Sequence, residues 1–228
     1  MEFKITPEIL LKAYACGIFP MAETAGSTEL FWIDPERRGI LPLDSFHIPK
    51  RLARTVRSDK FIVRASCDFK GVLSHCANIT TERKETWINA ELKKLYTELF
   101  AMGFCHTIEV YNADEELVGG LYGVSLGGSF FGESMFSTQR DASKVALVHL
   151  YGRLLYGNYQ LLDAQFQTEH LEQFGAMEVT KEHYGKLLEN ALKHLGDFNA
   201  LPQETSGKTV LQIIEDMRPP RGKKNGLY

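Results

Sequence analysis

Two acids stand where a buried strand should be apolar: Glu133 in the run GGLYGVSLGGSFFGESMFS (Gly119–Ser137) and Asp163 in LLDAQF (Leu161–Phe166). An ionised carboxylate inside a sheet is costly unless it is paired or put to use. Asp163 and Gln165 are two residues apart, a spacing that turns both side chains to one face of a strand. A carboxylate beside an amide can order and polarise a nucleophile that must lose a proton, such as an amine attacking an ester. A polar edge-strand face is the bland alternative for such a pair. Glu133 alternates in phase with Phe131 and Met135, whereas Phe130, Gly132 and Phe136 face the other way. It is therefore expected to enter an apolar space, unless it lies at a solvated strand end. Two such acids, on strands separated by a helix, point to a pocket. Glycines at 119, 120, 123, 127, 128 and 132 either leave backbone open to a ligand or serve as bulges of a twisted sheet.

A second constellation is basic. Lys50, Arg54 and Arg57 fall at i, i+4 and i+7, one stripe of a helix with Arg51 on its flank, and no acid interrupts the stretch between His47 and Ser58. Such a stripe suits phosphate oxygens, which position a nucleic acid without reading its sequence. A solvated surface helix reads the same way. Trp32 and Trp87 sit in polar surroundings, where an aromatic either stacks on a base or plugs a domain seam. No metal site is expected. The seven histidines contain no HxH or HExxH pattern, and Cys16, Cys67, Cys76 and Cys105 have no CxxC spacing. Zinc at the His75-Cys76 and Cys105-His106 pairs is disfavoured, because adjacent residues on one element diverge.

The elements that must hold these groups follow from the pattern. Thr6-Pro7-Glu8 caps a helix ending at Gly17, and FWIDPERRGILPL is a Pro-punctuated extended segment. Ile48–Arg57 reads as a short basic helix, Phe61–Ala65 as a strand, and Asn89 caps an amphipathic helix reaching Gly103. Strands are expected at His106–Tyr111, Glu116–Leu126 and Ser129–Phe136, with a two-residue turn at Gly127-Gly128. An apolar helix (Ser143–Tyr156), a strand (Gln160–Phe166) and a helix capped by Thr180 complete the pattern. The order predicts an α+β, or mixed α/β, fold. Its expected divisions are a small N-terminal α/β domain over 1–40, a larger domain over 41–196 and a loosely ordered tail over 197–228.

At 228 residues, 44% hydrophobic and 24% charged, the composition is that of a globular protein with a real core. A net charge of −3 argues against wrapping along DNA but leaves room for a local basic patch. No apolar run approaches the roughly 20 residues of a membrane helix, and no secretory signal is visible. Reduced cysteines fit a cytoplasmic protein.

GIFP (Gly17–Pro20), TWIN (Thr86–Asn89), ELVGGLYGVSLGGSFFGESMFS, ASK (Ala142–Lys144) and LLDAQF together resemble the leucyl/phenylalanyl-tRNA–protein transferases, in order and spacing, from about Ile5 to Leu195. The GESMFS run with the downstream D-x-Q is the specific part. The resemblance implies an acetyltransferase-like (GNAT) larger domain with an antiparallel meander and flanking helices. It implies transfer of Leu, Phe or Met from aminoacyl-tRNA to proteins with N-terminal Arg or Lys, creating an N-end-rule degradation signal without a cofactor. By position, Asp163 and Gln165 would form the relay on the acceptor amine. Glu133, Leu121, Phe130, Leu147, Leu154 and Leu162 would line the side-chain pocket. Trp87, with Tyr14, Tyr96 and Met21, would hold the 3'-terminal adenosine, Met21 standing where many members have a stacking tryptophan. Lys50, Arg51, Arg54 and Arg57 would grip the acceptor arm of the tRNA. The alternatives are a CoA-dependent N-acetyltransferase, disfavoured by the glycine-free junction STQRDASK, and a non-catalytic module that binds N-terminal residues.

Overall fold

The caps expected from the sequence are formed. The Thr6 hydroxyl accepts from the Ile9 amide at 3.4 Å and opens α1 (Pro7–Ala15); Gly17 follows it at φ +78°. The computed structural model describes residues 5–78 and 85–218. The chain continues through β1 (Phe19–Met21) and β2 (Phe31–Ile33), an antiparallel pair, and then β3 (Arg37–Leu41). Next come α2 (Lys50–Arg57), β4 (Ile62–Ala65), α3 (Phe69–Ala77) and α4 (Ala90–Ala101), the last capped by the Asn89 side chain on the Leu92 amide at 2.9 Å. The meander is β5 (Cys105–Tyr111), β6 (Leu117–Leu126) and β7 (Ser129–Ser137). After it come α5 (Ala142–Tyr156), β8 (Leu161–Gln165), the single turn α6 (Glu169–Glu172), β9 (Met177–Thr180), α7 (Lys181–Leu192) and α8 (Gly207–Met217).

Seven strands form one sheet in the order β4-β5-β6-β7-β8-β3-β9. Its pairs are antiparallel except β7 with β8, which run parallel and are joined by the crossover helix α5. Apolar side chains of α2, α5 and α8 cover one face; those of α1, α3, α4 and α7 cover the other. This is the α+β architecture expected from the sequence. Among the described residues no helix is long and apolar enough to cross a membrane.

The strand β3 carries residues on both sides of the expected division at 40/41 and lies between β8 and β9 in the large sheet. The stretch from 197 to 218, expected as part of the tail, holds α8. Ser206 caps α8 through the Thr209 amide at 3.1 Å, Val210 and Ile214 are buried against α5, and the buried Arg153 of α5 donates to the carbonyls of Phe198, Leu201 and Pro202. Residues 219–228, also assigned to the tail, lie outside the described residues.

Candidate active site

The site opens where the parallel pair comes apart. The strands β7 and β8 pair at Ser129↔Leu161, Phe130↔Leu162 and Phe131↔Asp163, and no further. Beyond that point they diverge, and a cavity of about 570 Å³ lies between them, lined by 132–137 on one side and 162–166 on the other. Leu121, Leu147, Leu150 and Leu162 make its apolar walls, and Phe19, Met21, Trp87 and Phe166 also line it. Phe166 is 46% exposed.

Glu133 reaches this cavity through a β-bulge. The ladder pairs Tyr122 with Ser134 and Gly123 with Gly132, which leaves Glu133 as the extra residue. The bulge also resets the alternation. Phe131 and Phe136 fall in the apolar cluster that includes Tyr14 and Tyr96, and Met135 packs against the opposite one. The expected common phase of Glu133 with Met135 is therefore corrected; the phase with Phe131 holds. The Glu133 carboxylate is buried among polar partners. The hydroxyls of Tyr14 and Tyr96 lie 2.7 Å from Oε1 and 2.8 Å from Oε2, and 2.9 Å from each other. Gln165 Nε2 donates to Oε1 at 2.9 Å. Burial pushes the Glu133 acid up to about 7, the tyrosine contacts only partly offsetting it.

Asp163 is fully buried and fully used. Arg38 grips it side-on, with Nε 2.9 Å from Oδ1 and Nη2 2.6 Å from Oδ2. Tyr184 of α7 donates its hydroxyl to Oδ2 at 2.6 Å, and the Gln165 amide donates to Oδ1 at 2.8 Å. The Arg38 guanidinium in turn donates to the Gly17 carbonyl at 2.9 Å and lies over the rings of Phe19 and Tyr184, 4.5 and 4.7 Å from their centroids. With each oxygen already taking two donors, Asp163 has no lone pair to offer a substrate. What it fixes is the backbone of Gln165. That residue sits at φ +56°, and the Phe166 amide bonds the Ala164 carbonyl at 2.6 Å, a tight three-residue turn. A left-handed non-glycine residue costs about 1–3 kcal/mol and persists only where its surroundings hold it. Gly39 makes room for the turn, since a Cβ there would fall 2.5 Å from the Phe166 carbonyl carbon. The side chain of Gln165 is thereby turned toward Glu133, so the three polar groups Asp163, Gln165 and Glu133 form one connected set along the cavity.

The other expected site residues divide. Leu121, Leu147 and Leu162 line the cavity with Glu133, but Phe130 and Leu154 do not: the Phe130 ring packs on Phe198 at 5.7 Å, and Leu154 lies two turns along α5 from Leu147, in the core. Trp87 and Met21 line the cavity. Tyr14 and Tyr96, expected beside them, have no exposed surface and spend their hydroxyls on Glu133, which leaves no face for a base. Lys50, Arg54 and Arg57 are exposed on α2, while Leu52 and Val56 turn inward. Arg51 is held by Asp141 at 3.2 Å. Sequence reasoning missed Arg38 and Tyr184. The signal for Arg38 was the second arginine of a pair, followed directly by an apolar strand run, Gly39-Ile40-Leu41.

An apolar slot beside a rigidly held amide can grip an acyl group by its side chain while an amine attacks the carbonyl. The fold and site are of the kind an acyl-transfer enzyme requires. Comparison with known proteins narrows this. Residues 40–189 match the family described as leucyl/phenylalanyl-tRNA protein transferase, and residues 3–36 match that family's N-terminal domain. The chain belongs to this family. It is 56% identical over 213 residues to the leucyl/phenylalanyl-tRNA–protein transferase of Rhodopseudomonas palustris strain HaA2, covering 92% of this chain and 95% of the relative. Its identity to the protein so named in Caulobacter vibrioides strain NA1000 is 54%, over 94% and 98% of the two chains. For Paramagnetospirillum magneticum the figures are 52%, 86% and 93%.

Proposed function

We propose that the protein moves Leu, and also Phe or Met, from aminoacyl-tRNA to the α-amino group of proteins with N-terminal Arg or Lys, in the cytoplasm, creating an N-end-rule degradation signal. One observation carries the reading: the parting of β7 from β8 sets an apolar slot and the Gln165 amide on one cavity. The donor side chain fills the slot between Leu121, Leu147 and Leu162 above Glu133. Trp87 and Met21 hold the terminal adenosine, and Lys50, Arg54 and Arg57 meet phosphates of the acceptor arm. Gln165 takes an N–H of the attacking amine on its side-chain oxygen. The new C–N bond forms, the ester C–O bond breaks, and the amine proton ends on the ribose oxygen. Asp163 acts through Gln165. A wholly apolar wall separates side chains that differ by one methylene by only about 1–3 kcal/mol, so slot shape must carry the rest of the discrimination. The CoA reading gains no support: the N-cap position of α5, where a pyrophosphate would sit, is held by Asp141, an acid, and no glycine precedes it there.

A transfer assay with charged Leu-, Phe- and Arg-tRNA against peptides beginning Arg, Lys, Asp and Glu tests the proposal. Leu and Phe transfer onto Arg and Lys peptides is expected; transfer from Arg-tRNA alone, or none, rejects it. The α2 stripe has its own test. Arg54→Ala is expected to weaken tRNA binding and to lower the slope of log affinity against log salt by about 1. Unchanged affinity and slope would make the stripe a solvated face, where Arg54 and Arg57 serve only the negative end of the helix dipole.

A further inference from the structure

Counting protons around Glu133 gives a result that the hydrogen-bond distances alone do not state. Three oxygen–oxygen contacts close a ring: Tyr14 to Oε1, Tyr96 to Oε2, and Tyr14 to Tyr96, at 2.7, 2.8 and 2.9 Å. Each needs one proton between its oxygens. The two phenols supply two, and an ionised carboxylate supplies none. With Glu133 charged, both phenol protons point at it and the phenol oxygens confront each other with lone pairs only. A protonated Glu133 supplies the missing proton and satisfies all three contacts. Gln165 Nε2 already donates to Oε1, which favours the proton on Oε2. The ring then runs from Oε2 to Tyr96, from Tyr96 to Tyr14, and from Tyr14 back to Oε1.

The surroundings agree. Tyr14 of α1, Tyr96 of α4, Tyr122 of β6, Cys105 of β5, and Asp163 and Gln165 of β8 all face or neighbour Glu133. Among the described residues the one cation near Glu133, Arg38 of β3, is committed to Asp163 through two nitrogens. Nothing is left to neutralise a second buried negative charge, and burial raises the acid accordingly.

We propose that Glu133 works as a neutral acid whose proton is held by Tyr14 and Tyr96, and that this uncharged floor selects apolar over cationic donor side chains. The inference rests on the donor reading above. An anionic floor would draw a lysyl or arginyl side chain into the slot and would oppose leucyl burial. Tyr14 and Tyr96 are thus positioning residues for specificity.

Two measurements test it. The first is isotope-edited infrared spectroscopy of the full chain with 13C-labelled glutamate. A labelled carboxylic-acid band is expected near pH 6, lost in Glu133→Gln and kept in Glu109→Gln. Among the described residues Glu109 is the other buried glutamate, bonded to the Cys67 and Asp68 amides at 3.1 and 3.2 Å. No band in the wild-type protein, or a band removed by Glu109→Gln, overturns the proposal, and both outcomes stand even if Glu133→Gln fails to fold. The second uses non-hydrolysable leucyl- and lysyl-amide adenosine analogues. Leucyl preference is expected to shrink about tenfold from pH 6 to pH 8.5, as the floor gains charge, and to stay flat in Glu133→Gln. A wild-type preference that does not change with pH overturns it. The spectra need no turnover, so transfer without the band rejects the proton, and the band without transfer rejects the donor reading.

Discussion

Arg38→Met is expected to cost about 3–5 kcal/mol of folding stability and to abolish transfer, because it strands a buried carboxylate. The wild-type pair has no water to fall back on: Arg38 is 1% exposed and Asp163 0%. Its worth lies in geometry, two parallel N–H donors on the two carboxylate oxygens, which lysine cannot reproduce. Removing one partner leaves the desolvation of the other uncompensated. Removing both is different, since an apolar pair of similar volume often replaces a buried ion pair at little net cost. Arg38→Met/Asp163→Leu should therefore recover most of the lost stability, short of what the Tyr184 hydroxyl and Gly17 carbonyl lose. It should recover none of the transfer, because the Gln165 amide then lacks the acceptor that holds its left-handed backbone. Urea unfolding and a transfer assay on the three variants read the two effects separately. If Arg38→Met unfolds at the wild-type urea concentration, the pair is not what anchors this corner of the sheet. If the double variant transfers normally, Asp163 has no part in positioning Gln165.

How much of this was legible in the sequence depended on whether a local rule decided the residue. The meander was legible: Gly127-Gly128 fits a two-residue turn between two runs of apolar, aromatic and glycine residues. The α2 stripe was legible because a helical period fixes which side chains share a face. The phase of Glu133 was not, because a bulge is decided jointly with the partner strand, where Gly123 accommodates the approach of the Phe131 carbonyl. Tyr96 falls on the apolar face of its helix with Leu92, Leu95 and Leu99, so its burial could be read. Its hydroxyl's destination could not, because Glu133 is 37 residues away and Tyr14 82. Arg38 carried the opposite problem. An arginine between Arg37 and Gly39 reads as solvated until β8 and α7 close over it, and that closure is tertiary. The helix α8 did leave a local trace, a Ser206 cap with Val210 and Ile214 four residues apart and only Gln212 polar between them.

Gln165→Ala is the sharper probe of the chemistry, because it leaves the Arg38–Asp163 pair and its backbone partner in place. Transfer is expected to fall by about 10²-fold or more in kcat, with donor KM and tRNA affinity within a few-fold of wild type. The side chain makes one bond to Glu133, so its loss removes one of three groups on that carboxyl and leaves both tyrosines. Stability should accordingly change by no more than about 1 kcal/mol, an ordinary hydrogen bond's worth. The KM-against-kcat split carries the argument. A fall in kcat alone means that the amide acts on the attacking amine, an interaction made only as the new bond forms. A rise in KM alone would assign Gln165 to donor binding and make it part of the slot wall. Transfer at the wild-type rate would leave the strained turn at the end of β8 without a catalytic reason, and the acceptor amine would have to meet the ester unaided.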